Sequence, residues 1–291
     1  MFDMSVASTG TSEGFLKAND IPYLVSYTHS GSHASYYPGA EMMAIKLFFS
    51  PSSGKVLGAQ IIGKEGVDKR IDVIATAIHG SMTVYDLEEL ELAYAPPYSS
   101  AKDPVNIAGF VAANILKGDV KNINWNEMID IDPETDVLVD RSMANELEEA
   151  GKINSALHIP LPELRSRLGE LDPGKRYIVF CAIGLRGYVG YRILSQKGLQ
   201  AKNLSGGYKT FLGAKSKIMA ESRATLARGI RCFLKRLLYT MVYHDHLPAS
   251  VSASVPAQER REAMTQVTFK GNTVNTVASC RQKEIPHRNL T

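Results

Sequence analysis

At 291 residues, with 44% hydrophobic and 22% charged side chains, the chain is long enough for two domains with sizeable cores. Its three cysteines, Cys181, Cys232 and Cys280, are too few and too scattered for a disulfide framework or a zinc site, which points to a reducing cytoplasm. The net charge of +3 hides a division: residues 213–291 hold 13 Lys+Arg against 5 Asp+Glu, leaving 20 against 25 elsewhere, so a boundary is expected near 213.

No basic region followed by an apolar run opens the chain, and no apolar stretch of about 18 residues interrupts it. Neither a signal peptide nor a membrane span is expected. Strands are expected over 23–27, 41–49 and 56–62, where apolar and β-branched residues concentrate. The last two are joined by the turn Ser50-Pro51-Ser52-Ser53-Gly54-Lys55. A helix follows over 67–79, with Ile71, Ile74, Ala75 and Ile78 on one face. Another starts at Pro104, whose missing N–H costs nothing at a helix start, and runs to Leu116 before Gly118. Together with the Pro-Pro loop at 93–100, these elements predict an α+β domain over 1–118.

A polar connector at 119–124 leads to a second domain over 125–212. Val137-Leu138-Val139-Asp140 and Tyr177-Ile178-Val179-Phe180 read as buried parallel strands, the second delivering Cys181 at its C-terminal end. A helix over 188–197, a strand over 201–204 and a Gly206-Gly207 turn complete an α/β order with ligand chemistry at the strand ends. Beyond 213 comes a basic tail with a helical stretch at 220–243 and no strand logic, expected to be poorly ordered.

Cys181-Ala182-Ile183-Gly184-Leu185-Arg186-Gly187 is the most specific chemical signal. A cysteine between a strand end and a helix N-terminus meets converging N–H groups that favour the thiolate. Arg186 adds a fixed charge for an oxyanion, and Gly184 and Gly187 let the backbone curl around a substrate bound by Ala182, Ile183 and Leu185. A cysteine alone at a strand end is more often simple packing. With Arg186 and two glycines in one loop the balance turns toward catalysis by Cys181 and Arg186. His244-Asp245-His246 lacks a third ligand, so no metal is expected. The basic stretch at 228–236 fits an anionic surface, but a docked amphipathic segment is preferred, so neither nucleic acid nor membrane is expected as a partner.

The loop resembles the Cys-x-x-Gly-x-Arg signature of the rhodanese family. Asp140, His158-Ile159-Pro160-Leu161-Pro162-Glu163-Leu164 and Leu204-Ser205-Gly206-Gly207-Tyr208 are similar to other landmarks of that family. The resemblance implies a rhodanese-like domain whose Cys181 accepts sulfur from sulfane donors and passes it to thiols. Related phosphatases space their cysteine and arginine by one residue more, which suits phosphate. Two positions depart from the family: Ser142 stands in place of an arginine and Lys152 in place of a histidine, which puts specific sulfur donors in question.

In the first domain, Tyr36, Tyr37, Tyr94 and Tyr98 lie in loops, and composition alone assigns them to an interface. The strings Ala7-Ser8-Thr9-Gly10, His33 to Ala40 and Ala93 to Pro104 resemble the dimerisation domain of flavin-dependent pyridine nucleotide-disulfide reductases, specifically the coenzyme A-disulfide reductase group with a fused rhodanese domain. That resemblance implies catalytic tyrosines at Tyr36 and Tyr94 with Tyr98 at the substrate, flavin contact at Ser8, Thr9 and Gly10, and a homodimer or a flavoprotein subunit as partner. It also implies FAD, NAD(P)H and small thiols such as coenzyme A for the full-length family. No Gly-x-Gly-x-x-Gly occurs in the chain, so no cofactor is expected for it in isolation. The implied picture is a fragment of a coenzyme A-disulfide or persulfide reductase from a truncated or split reading frame. The alternative is a non-catalytic dimerisation subunit or remnant that completes the active site of a separate flavoprotein chain.

Overall fold

The computed structural model describes residues 3–153 and 155–214. The basic stretch at 220–243, the His244-Asp245-His246 motif, Cys232 and Cys280 lie outside the described residues.

The first domain is a four-stranded antiparallel sheet with helices packed against it. Strands β1 (Ser5–Gly10), β2 (Leu24–Gly31), β3 (Met42–Phe49) and β4 (Val56–Gly63) lie in the order β1-β4-β3-β2. The β3–β4 connection is the expected Ser/Pro/Gly turn, with Gly54 at φ +71°. Helix α1 (Glu13–Ala18) follows β1, its N-terminus capped by Ser12 Oγ accepting from the Phe15 amide. Helices α2 (Val67–His79) and α4 (Pro104–Leu116) occupy the spans the periodicity predicts, and α3 (Val84–Glu89) starts at a Thr83–Asp86 capping box. Leu47, Phe49 and Ile61 from the sheet meet Ile74, Leu87, Val105 and Ala112 from the helices in one buried cluster.

A buried ion pair locks this domain together. Arg70 on α2 reaches Asp103 at 2.9 Å and also donates to the carbonyl of Ser32, while Ser99 Oγ donates to the same carboxylate at 2.7 Å. Hydrogen bonds from the Val105 amide, Ser99 and Arg70 outweigh burial and lower the Asp103 carboxyl below its usual range. Asp103 also caps α4, so one carboxylate holds a helix start, a second helix and the loop at 93–100.

The second domain is a five-stranded, all-parallel sheet in the order β5-β9-β8-β6-β7. Its strands are β5 (Asn122–Ile123), β6 (Asp136–Asp140), β7 (Leu157–His158), β8 (Arg176–Phe180) and β9 (Gln200–Leu204). Helix α5 (Ala144–Ala150) follows β6 and helix α6 (Leu185–Gln196) follows β8. Alternate residues of β8 feed opposite cores: Tyr177 and Val179 pack with Ile159, Leu164 and Leu194, whereas Ile178 and Phe180 pack with Ile123, Met128 and Leu204. Burial on both faces explains why this strand reads as an unbroken apolar run.

Several local expectations change. Residues 122–123, read as connector, pair with β9 and begin the second sheet. Strand β1 and helices α1 and α3 had not been expected as elements. Helix α6 starts at Leu185, three residues earlier than the periodicity indicates, so Arg186 and Gly187 lie in its first turn rather than in a loop. Gly187 therefore serves close packing: a Cβ there would sit 3.1 Å from Phe180 Cα.

Candidate functional site

Cys181 is the residue that leaves β8, and Gly184, at φ +104°, turns the chain into α6. Within that turn the Gly184 amide donates to Cys181 Sγ at 3.2 Å. The sulfur thus faces the N-terminal end of a 12-residue helix, where amide N–H groups and the helix dipole stabilise negative charge. The residue is fully buried, while Ala182 and Ile183 are half-buried and Leu185 is exposed.

Arg186 projects from the first turn of α6 and is gripped by Glu146 of α5, with N–O distances of 2.6 and 2.7 Å. The Glu146 bond comes first among the interactions that raise Arg186 above its ordinary range, and the neighbouring Cys181 adds to them. The same bond lowers the Glu146 carboxyl. The site therefore holds a cation beside the sulfur together with a carboxylate that partly neutralises it.

The floor of the loop is the segment after β9. The Tyr208 amide donates to the Cys181 carbonyl and the Lys209 amide to the Ala182 carbonyl, each at 2.9 Å. Gly207, at φ +62°, makes that approach possible: a Cβ would lie 2.3 Å from the Cys181 carbonyl oxygen and 2.7 Å from the Gly184 amide.

At the end of β6, Asp140 accepts from the Ser142 amide at 2.9 Å, and His158 Nε2 lies 2.9 Å from the Ser142 carbonyl. Ser142 is buried and Lys152 is exposed. In the first domain, Tyr36 and Tyr94 come together with their hydroxyls 2.7 Å apart. Both are exposed, at 73% and 48%, and the Tyr94 hydroxyl raises the Tyr36 phenol above its usual range. Tyr98, in the same loop as Tyr94, is exposed. Among the described residues no group of three or more His, Cys, Asp or Glu is placed to hold a metal ion, and no helix is long and apolar enough to cross a membrane.

Residues 1–104 match the pyridine nucleotide-disulphide oxidoreductase dimerisation domain, and residues 119–214 match the rhodanese-like domain. A coenzyme A disulfide reductase of Staphylococcus aureus is 43% identical over 111 residues, covering 38% of this chain and 25% of the reductase. The solved structure of reduced Bacillus anthracis CoADR-RHD is 50% identical with a TM-score of 0.70, covering 72% of this chain and 38% of that one. A NAD-dependent persulfide reductase from A. fulgidus is 41% identical with a TM-score of 0.65, covering 71% and 37%. The protein is a coenzyme A disulfide reductase-type dimerisation domain fused to a rhodanese-like domain.

This dimerisation–rhodanese chain spans little more than a third of the two solved relatives and a quarter of the Staphylococcus reductase. The family depends on FAD and NAD(P)H. Ser8, Thr9 and Gly10 lie on β1, an edge strand, and Gly10 is committed to packing, since a Cβ there would lie 2.5 Å from the Leu57 carbonyl oxygen and 2.7 Å from Ile78 Cδ1.

Several site residues were not singled out from the sequence. Glu146 had a weak local signal: at the third position of α5 its carboxylate accepts from the Met143 amide at 2.8 Å. Gly207 belongs to a family landmark in the sequence, but nothing local marks it as the residue against the loop. Thr210 of the rhodanese-like domain and Tyr27 and His29 of the dimerisation domain had no signal, because their contacts span nearly the whole described chain.

Proposed function

We propose that this chain transfers sulfane sulfur through a persulfide on Cys181. The observation that carries the reading is the Gly184 N–H donated to Cys181 Sγ at the start of α6, with Arg186 alongside. A hydrogen-bonded sulfur at a helix N-terminus is held as the nucleophile that sulfur transfer needs. The Cys181 thiolate attacks the outer sulfur of a donor such as thiosulfate. The donor's S–S bond breaks, sulfite leaves with the bonding pair, and a Cys181 persulfide remains. An acceptor thiolate then takes the terminal sulfur, and the Cys181 thiolate is regenerated as the leaving group. The buried position of Cys181 favours slim donors and acceptors that lead with sulfur, including small thiols such as coenzyme A.

Mass spectrometry after incubation with thiosulfate tests the reading. One sulfur should be added at Cys181 and removed by cyanide or a thiol. A chain that gains no sulfur there, from thiosulfate or polysulfide, would make the loop purely structural.

A second reading is favoured by the Tyr36–Tyr94 pair, whose exposed hydroxyls have no role in sulfur transfer. In this reading the first domain dimerises, or docks on a flavoprotein subunit that supplies FAD and NAD(P)H, and the phenols serve disulfide or persulfide reduction there. Supplying those domains in trans should restore reductase activity, and Tyr94→Phe should slow it more than Tyr36→Phe. Equal rates for both variants and the unmodified chain would leave the pair as packing.

A further inference from the structure

The segment that floors the Cys181 loop has a second face, and that face rests on the dimerisation domain. Strand β2 is an edge of its sheet, so its outward N–H groups must find partners elsewhere. The Tyr27 amide donates to Ser205 Oγ at 3.2 Å, and the Tyr27 hydroxyl accepts from Trp125 Nε1 at 3.1 Å. Two residues on, His29 Nε2 lies 2.7 Å from Thr210 Oγ1. Thr210 in turn donates to the Gly206 carbonyl at 3.1 Å. A hydroxyl has one proton, so the two Thr210 bonds are both made when His29 carries its proton on Nε2 and donates. Gly206 is clamped between these groups: a Cβ there would lie 2.1 Å from Thr210 Oγ1 and 2.8 Å from Tyr27 Cβ.

Residues 205–210 are therefore a shim with contacts on both sides. One side meets Tyr27 and His29. The other side meets the carbonyls of Cys181 and Ala182 and the amide that holds the sulfur. A displacement of this segment by a few tenths of an ångström would be passed directly to the turn that orients the Gly184 N–H, because the packing at Gly207 has no slack.

We propose that Tyr27 and His29 of the dimerisation domain are positioning residues for the rhodanese-like site, acting through Ser205 and Thr210 on the Cys181 loop. The inference rests on the sulfur-transfer reading for its kinetic consequence, though not for its structural one. It gives the fusion of the two domains a physical purpose: the sulfur site is completed by a strand from the neighbouring domain.

The test uses the full chain and two readouts: the rate of Cys181 persulfide formation from thiosulfate, and amide hydrogen exchange across residues 181–187. His29→Ala and Thr210→Val should each slow sulfur loading about fivefold, the scale of one lost hydrogen bond expressed as a rate. Each should also speed exchange in 181–187 while the remaining strands of the second sheet keep their protection. His29→Gln and Thr210→Ser retain donor and hydroxyl and should restore both readouts. The double variant His29→Ala/Thr210→Val should be no worse than Thr210→Val alone, because the His29 link is already lost with the Thr210 hydroxyl. Unchanged loading and unchanged loop exchange in the two single variants overturn the proposal, as does a rise in exchange spread evenly over the whole second sheet. If the unmodified chain never forms a persulfide, sulfur transfer fails as a function, and loop exchange alone then decides whether the strand positions the loop.

Discussion

The chemistry at Cys181 turns on how much of the Arg186 charge a donor feels. Arg186 is only partly exposed, and its nitrogens are already engaged by Glu146 at 2.6 and 2.7 Å. Removing the cation should cost anionic donors far more than neutral ones. Arg186→Ala should lower thiosulfate use about tenfold or more, the scale of a charge-assisted hydrogen bond, while an uncharged persulfide donor is affected less. Glu146→Gln does the reverse, releasing the guanidinium and raising thiosulfate use at low ionic strength, with the gain shrinking in salt. Steady-state rates with both donors, at two salt concentrations, check the pair. If Glu146→Gln instead depresses both donors equally, the carboxylate acts by holding Arg186 in place. Gly207 makes a sharper case. The three atoms nearest its Cβ would be backbone, the Cys181 carbonyl oxygen and the Ile183 and Gly184 amides, at 2.3 to 2.9 Å, and none of them is free to rotate away. Gly207→Ala should abolish sulfur loading at Cys181, measured by mass, while the far-ultraviolet circular dichroism stays close to that of the unmodified chain.

The elements divide by how local their causes are. Helices α2 and α4 were legible to the residue, because their apolar spacing, Pro104 and the following glycines are signals carried within the span itself. Strand β8 and its cysteine were equally plain, since burial on both faces leaves a short apolar run. Strand β1 was missed because Ser5 to Gly10 is polar and small, and it becomes a strand only by pairing along its length with β4. The start of α6 was placed late because Leu185 is exposed and Gly187 and Gly190 interrupt the apolar period, although those glycines permit close packing on the sheet. The Arg70–Asp103 pair was invisible for a related reason: 33 residues separate partners that only the fold brings together. It now supports a prediction. Asp103→Asn keeps a cap for α4 but leaves Arg70 charged and buried without its partner, which should destabilise the first domain by about 3–5 kcal/mol. Removing both charges with Arg70→Met/Asp103→Leu should cost less than the single change, a difference that urea denaturation of the two variants beside the unmodified chain would measure.

At the scale of the whole molecule, two surfaces of the first domain have different fates. Val6 of β1 pairs with Ile62 of β4, and both side chains are exposed, at 65% and 45%, as are Phe15 and Met42 of the same domain. Exposed apolar groups of this extent mark an interface, so the chain should self-associate at micromolar concentration, and Val6→Glu should shift sedimentation toward monomer. A monomeric unmodified chain would remove that expectation. The edge of β2 is already covered, by the rhodanese-like domain, and its contact includes a histidine. Burial, with Lys209 nearby, lowers His29 from 6.5 to about 4. In the unfolded chain this histidine takes a proton as pH falls below about 6.5, whereas the folded chain resists until about 4. The stability it contributes is therefore complete above pH 6.5, declines as pH falls through that window and is gone below about 4, with an upper bound of roughly 3 kcal/mol. Carboxylates such as Asp103 and Glu146, both lowered in the folded state, also lose stabilising power toward acid, so the unmodified chain alone does not isolate the effect. The difference between variants does. His29→Gln keeps a hydrogen-bond donor for Thr210 and cannot take up a proton, so it should match the unmodified chain at pH 7.5 and exceed it at pH 4.5 in urea midpoint. Parallel curves for the two proteins across that range would mean that protonation of His29 does not oppose the docked arrangement.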